Sequence, residues 1–315
     1  MTLEIVPDDI HELEPRDYED LDPQELLEHP EGAFVEKELS TEQQREAVLS
    51  HESVIEKPDL FIGSGNDAIV FELPLGSDSS PICLKHIWES VNVEMRGKQF
   101  YKLSERLQQL RRIQEYFEKI REEKRKIAKK GSIEFVLPNK PIVEAGLQTA
   151  ARTLLEKAGY KNAVPAVKSL IRIETKGEGD IDGVPYVYDE IADIIAMEKI
   201  NGKSIQDFIL NYDLYQDVID RLDPVMFRKK LREMLAVLHE NNLTHQDVTN
   251  RNIMIDFDTC EPVIIDFGKA SYRGGNFSKE QELDHVDAVC RTLTALKQNP
   301  EEIRKNLKKM LGIAF

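Results

Sequence analysis

The chain has 315 residues, 41% of them apolar, and a formal net charge of −16. A chain of this size and composition can bury a sizeable core, so one folded unit with attachments is expected. General nucleic-acid binding is excluded, because so acidic a chain repels phosphates, and no apolar run is long enough to cross a bilayer as a helix. The start, Met1-Thr2-Leu3-Glu4, lacks the basic and apolar regions of a signal peptide. Cys83, Cys260 and Cys290 are scattered, odd in number and without metal-ligand spacing. Core positions in a reducing interior are therefore expected, which points to the cytoplasm, with secretion without a cleaved signal left open.

Residues 1–60 hold 19 Asp/Glu against 4 Lys/Arg, a balance of −15. Pro7, Pro15, Pro23 and Pro30 interrupt this segment, and no sustained periodicity precedes Ser40. A partly disordered acidic extension over 1–56 is expected, with a capping-box pattern at Thr41-Glu42-Gln43-Gln44 for a short helix. The alternative is an acidic arm that docks on a basic surface or blocks a substrate groove. Apolar strands then flank Gly63-Ser64-Gly65, and Pro81-Ile82-Cys83-Leu84-Lys85 reads as a strand ending in a cation. Residues 94–131 hold 13 Lys/Arg against 6 Glu, a balance of +7. Leu103, Leu107, Leu110, Ile113, Phe117, Ile120 and Ile127 recur at mostly helical steps there. One amphipathic helix with a break near Gly97 is expected. Its basic face is either solvated or, over 96–130, a docking surface for an acidic partner, RNA or anionic lipid, and no paired-aromatic RNA motif accompanies it.

Pro141 to Ala158 reads as a helix stopped at Gly159. Glu174 to Gly183, rich in Gly, Asp and Lys, reads as an exposed loop between strands. Ile194 to Met197 is a buried strand that gives way to a polar turn, and Ser204 is a good N-cap for the next helix. Phe227 to Asn241 reads as a helix with Phe227, Leu231, Met234, Leu235 and Leu238 inward. His245-Gln246-Asp247-Val248-Thr249-Asn250-Arg251-Asn252 follows, and then Asp266-Phe267-Gly268. Between them, Ile253–Ile255 and Val263–Ile265 read as two short buried strands, with turn signals from Asp256 to Glu261. Pairing of those strands would bring Asn252 and Asp266 close together.

The pattern H-x-D-x-x-x-x-N followed by D-F-G resembles the catalytic core of the protein-kinase-like superfamily. Gly63-Ser64-Gly65 with Ala68 and Val70 resembles its Gly-rich loop, and the strand ending at Lys85 resembles its V-A-I-K strand. The resemblance implies an α+β, two-lobed kinase-like fold. The N-lobe would cover 57–200, with a helical insertion at about 94–131, and a shortened helical C-lobe would cover 201–315. It further implies ATP and Mg²⁺ as cofactors. The catalytic set would be Lys85, Asp247, Asn252 and Asp266, with Asp247 as base and Asn252 and Asp266 as metal ligands. Nucleotide-binding positions would be Ile62, Gly63, Ser64, Gly65, Ala68, Val70, Cys83, Lys85, Met197, Glu198, Ile200 and Ile265, with main-chain groups at Glu198 and Ile200 meeting adenine. The ion-pair partner of Lys85 would be Glu144, or alternatively Glu94. His245 would brace the D-F-G turn, Thr249 or Arg251 would approach the γ-phosphate, and Asp287 would brace the catalytic loop.

Several positions depart from the regulated protein kinases. Gln246 stands where an Arg would pair with a phosphorylated activation loop, Thr249 where many Ser/Thr kinases have Lys, and only 47 residues follow Gly268. The chain is therefore more similar to the small atypical kinases: RIO kinases, the KEOPS-complex kinase of tRNA threonylcarbamoylation, lipopolysaccharide sugar kinases and minimal bacterial effector kinases. The implied activity is phosphoryl transfer from ATP to a protein Ser/Thr. A small-molecule kinase and a nucleotide-binding interaction module or ATPase switch are the alternatives.

Overall fold

A computed structural model describes residues 7–16, 22–37, 61–64, 68–73, 82–95, 108, 111–112, 114–115, 140–181, 183–275 and 277–311. By contacts the chain divides into two units, interleaved in sequence. The first takes residues 1–14, 35–137 and 168–197; the second takes 15–34, 138–167 and 198–315. The fold is α+β, with an antiparallel sheet and a helical C-terminal region.

In the first unit, a seven-stranded sheet runs β2-β1-β6-β7-β5-β4-β3. Its strands are β1 (Pro7–Pro15), β2 (Phe34–Lys37), β3 (Phe61–Ser64), β4 (Ala68–Leu73), β5 (Ile82–Met95), β6 (Val167–Ile181) and β7 (Val184–Glu198). Phe71, Leu84, Ile173, Ile194 and Ala196 form one buried cluster on it. The register places Val70 opposite Lys85 and Glu72 opposite Cys83. Part of the acidic extension is sheet: Ile10 pairs with Ile173 and Leu13 with Leu170, so the extension completes the ladder of β6. The expected loop from Glu174 to Gly183 is instead the continuation of β6, reversed at Gly183 (φ +83°) into β7. A Cβ on Gly177 would lie 2.3 Å from the Tyr188 ring, and one on Gly179 would lie 2.6 Å from the Tyr186 hydroxyl. The glycines that suggested a loop are thus the sites where the two stacked tyrosines cross the strand.

The second unit is helical. It contains α1 (Pro23–Glu28), a 3₁₀ turn over Pro30–Ala33, α2 (Pro141–Lys157), α3 (Ile205–Leu210), α4 (Gln216–Arg221), α5 (Pro224–Glu240), α6 (Lys279–Gln298) and α7 (Pro300–Leu311). The local signals explain the starts. Asp22, Ser204 and Asp223 accept from backbone N–H groups as N-caps, and Pro occupies the first position of α1, α2 and α5. Ser278 and Gln281 close a capping box on α6. Helix α2 is buried along nearly its whole middle, and Thr149 and Thr153 return their hydroxyls to carbonyls one turn back at 2.9 Å. Two short strands, β10 (Ile253–Asp256) and β11 (Pro262–Ile264), pair antiparallel as expected, with β8 (Gly202–Ser204) on the other side of β10.

The N-terminal α1 and the following turn pack on α2, burying Leu26, Leu27 and Ala33. A Cβ on Gly146 would sit 2.1 Å from the Pro30 carbonyl oxygen, so only glycine permits this approach. Glu28 of α1 pairs with Arg273 at 3.0 Å, and Gln24 donates to Asn241 at 2.8 Å. These residues fall in the segment expected to be partly disordered; what made that expectation was composition, which carries no information about a surface elsewhere in the chain. The pattern at 41–44 and Gly65 lie outside the described residues. So does most of 94–131, where Arg111 and Arg112 are helical and Arg111 pairs with Glu115 at 3.4 Å. All three cysteines are free thiols; burial pushes the Cys290 thiol up to about 11. No described helix is long and apolar enough to cross a membrane.

Leu27→Ala should lower unfolding stability by about 3 kcal/mol, the cost of a fully buried leucine and its cavity, and denaturant titration reads it directly. An unchanged midpoint would mean that α1 is not part of the cooperative unit.

Candidate active site

The catalytic loop begins after α5, whose C-cap is Asn241; Asn242 turns left-handed at φ +59°. The two-residue strand β9 (Leu243–Thr244) follows, paired with β12 (Ser271–Tyr272). Gln246 then adopts φ +63°, and Asp266 adopts φ +66°. Two non-glycine residues in the left-handed region, one at each motif, mark a backbone held by its surroundings.

Several hydrogen bonds do the holding. The Asp247 amide donates to His245 Nδ1 at 3.3 Å, and His245 Nε2 lies 3.0 Å from the Ile265 carbonyl. That pair of contacts selects the Nε2–H tautomer. The His245 ring also meets the Phe267 ring edge to face at 4.9 Å, so His245 packs against the D-F-G turn. Asn252 donates from Nδ2 to the Asp247 carbonyl at 3.0 Å, and its own carbonyl accepts from Ile265 N at 3.0 Å. The β10–β11 pairing thereby brings Asn252 beside the residue preceding Asp266. With Nδ2 engaged, Oδ1 is the Asn252 atom left for a cation. A carboxylate and a carboxamide oxygen form a hard-oxygen set suited to Mg²⁺.

Glu144, in the first turn of α2, is buried at 3% exposure, and its Oε2 lies 3.2 Å from where a Cβ on Gly268 would be. Within the second unit this carboxylate therefore stands against the D-F-G turn. Lys85, half-buried on β5, belongs to the first unit, and Glu94 is exposed toward the far end of the same strand. At the strand end, Glu198 donates its N–H to the Ala166 carbonyl at 2.8 Å, so that donor is not available to a base. Its carboxylate accepts from Arg152 at 2.7 Å and from Ala166 N at 3.2 Å. Ala68, Val70 and Cys83 are half-buried strand residues of the first unit; Met197, Ile200 and Ile265 are likewise half-buried. Ile62, Gly63 and Ser64 form β3.

The acid that reaches the catalytic loop is Glu282, not Asp287. Glu282 is fully buried; its Oε1 accepts from Gln246 N at 2.6 Å and its Oε2 meets His239 Nε2 at 2.5 Å. Burial alone would raise its pKa. The His239 hydrogen bond, the nearby His245 and the Gln246 amide outweigh that and hold it below its ordinary value. Asp287 lies one turn further along α6 and pairs outward, with Arg228 at 2.6 Å and Arg232 at 2.7 Å. The signal for Glu282 was in the sequence: with Val286, Val289 and Leu293 it falls on the inward stripe of α6, and an acid on an apolar stripe needs a buried partner.

Gln246 is engaged on every side. Its Nε2 donates to Thr244 Oγ1 at 2.8 Å and to the Phe277 carbonyl at 3.0 Å, and its Oε1 accepts from Phe277 N at 2.8 Å. An uncharged amide thus ties the segment after D-F-G to the loop. Thr249 Oγ1 is buried with no hydrogen-bond partner among the described residues, and Arg251 is exposed. Sequence reasoning passed over Lys269. Its Nζ lies 2.8 Å from Asp247 Oδ2, with both side chains part-exposed.

A RIO-domain family model matches residues 167–283. Over 117 residues the chain is 29% identical to the EKC/KEOPS complex subunit bud32 of Dictyostelium discoideum, a stretch that is 36% of this chain and 43% of that protein. The chain is similar to the atypical protein-kinase-like proteins. The RIO match runs from β6 into α6, so it holds Asp247, Asn252, Asp266 and Glu282 but neither Lys85 nor Glu144. The chain spans less than half the length of the curated relative it matches.

The depressed pKa of Glu282 fixes the sign of an acid effect. Its ionised form stabilises the fold above the ordinary carboxylate value of 4.5, and that contribution is lost as pH falls through the folded value. Stability measured from about pH 5.5 downward should therefore fall, and Glu282→Gln should flatten that limb while lowering stability at neutral pH. An unchanged pH slope in the variant would show that other carboxylates carry it.

Proposed function

We propose that the protein is an ATP- and Mg²⁺-dependent phosphotransferase of the minimal atypical kinase type, acting on Ser/Thr hydroxyls of a protein. The observation that supports this best is the convergence of Asp247, Asn252 and the D-F-G turn through His245 and the β10–β11 pair. Asp247 accepts the proton of the acceptor hydroxyl as it attacks. Asn252 and Asp266, which offer a carboxamide and a carboxylate oxygen, are the residues that would hold the metal. Bound Mg²⁺ would neutralise charge on the phosphate oxygens. On this reading Lys85 would contact the α- and β-phosphates. The nucleotide-binding positions implied by the resemblance would be Ile62, Gly63, Ser64, Gly65, Ala68, Val70, Cys83 and Met197, together with Glu198, Ile200 and Ile265.

A second reading, a nucleotide-dependent switch within a larger assembly, draws support from the relative's name, which makes that protein a complex subunit. It also fits the short, tied-down segment between Gly268 and α6, which leaves little chain for a peptide-docking platform.

Incubating the protein with γ-labelled ATP and Mg²⁺ tests both. Label should pass to the chain itself or to a protein acceptor, and Asp247→Ala and Asp266→Ala should each lower transfer by about a hundredfold or more. Hydrolysis without transfer to any acceptor would favour the switch, and binding with neither would remove the enzymatic reading.

A further inference from the structure

Phosphoryl transfer develops charge on three equatorial oxygens, while the attacking hydroxyl must be held in line with the leaving oxygen and within reach of the base. A cation beside the base serves both needs. The catalytic loop supplies none at Thr249, whose hydroxyl is buried, and Arg251, four residues beyond the base, is exposed. Among the described residues, the cation in contact with Asp247 comes from the other motif. Lys269 follows Gly268 directly, and its Nζ is 2.8 Å from Asp247 Oδ2. Its backbone is fixed by the turn in which Ala270 N donates to the Phe267 carbonyl at 3.0 Å.

We propose that Lys269 is a catalytic residue that bridges the base Asp247 and the phosphoryl group in flight. The proposal rests on the phosphotransferase reading. An ammonium has three donors, and Asp247 takes one, leaving two for γ-phosphoryl oxygens. In the step, the acceptor oxygen forms a bond to the γ-phosphorus as its proton passes to Asp247. The bond from that phosphorus to the β–γ bridging oxygen breaks, and its electron pair leaves with ADP. Lys269 stays charged throughout: it orients the carboxylate before attack and neutralises the oxygens during it. Its partial exposure, 38% against 19% for Asp247, leaves the amine accessible from solvent.

The test uses the full chain with Mg·ATP, reading label release to water and transfer to casein, alongside nucleotide affinity and thermal unfolding. Lys269→Met, which keeps length without charge, should lower kcat about a hundredfold while KM for ATP and nucleotide affinity stay within about threefold. Lys269→Arg should recover at least about a tenth of the lost rate, since charge and a donor return. A merely structural lysine would move unfolding and KM instead. If Asp247→Ala is dead but Lys269→Met keeps near wild-type kcat, or if Lys269→Arg is as slow as Lys269→Met, the Lys269 proposal falls and the phosphotransferase reading stands. If the wild-type chain binds ATP but neither transfers nor hydrolyses it, both fall together.

Discussion

The buried carboxylate of Glu282 is the contact on which the candidate site depends. A fully desolvated charge is tolerated only when its lone pairs are engaged. Here His239 from α5 and the main-chain N–H of Gln246 do so at 2.5 and 2.6 Å. One of these bonds is made by Gln246 itself, which is left-handed at φ +63° and directly precedes Asp247. Lys279, at the start of α6, donates to the His239 carbonyl and tightens the same junction.

From that anchor the site spreads by side-chain bonds to the backbone and by strand pairing. His245 contacts the Ile265 carbonyl, Asn252 contacts both the Asp247 carbonyl and Ile265 N, and β10 lies against β11. The two motifs are joined by a small hydrogen-bond network. Because Gln246 is neutral and fully engaged, the segment after D-F-G is tied down without any phosphate. In this unit the segment is also approached by α1, through Glu28 to Arg273. Residues 23–33 therefore belong to the same packed body as α2, which carries Glu144 to the D-F-G turn.

Much of this was legible residue by residue. Caps at Ser204 and the helix stop after Glu240, the inward face of α5, and the two strands between Asn252 and Asp266 are all local: each is set by neighbours within a turn or a strand. The kinase-like motifs were legible for the same reason, since their spacing is fixed by short elements. The loop expected at Glu174–Gly183 failed because glycine there answers to the Tyr186 and Tyr188 rings on another strand, not to a turn.

Sequence alone thus determined the helix start at Ser204, the helix after Phe227, the two strands between the motifs, the motifs themselves and the acidic character of the N-terminal segment. Only the tertiary structure decided that Glu282 and not Asp287 reaches the loop, that Lys269 meets Asp247, that Arg152 holds Glu198, and that residues 23–33 cover α2. Each of those contacts joins residues far apart in sequence, and a charge or a small residue carries no mark of its distant partner. Periodicity reports which face of an element is buried; what lies against that face is settled when the elements pack.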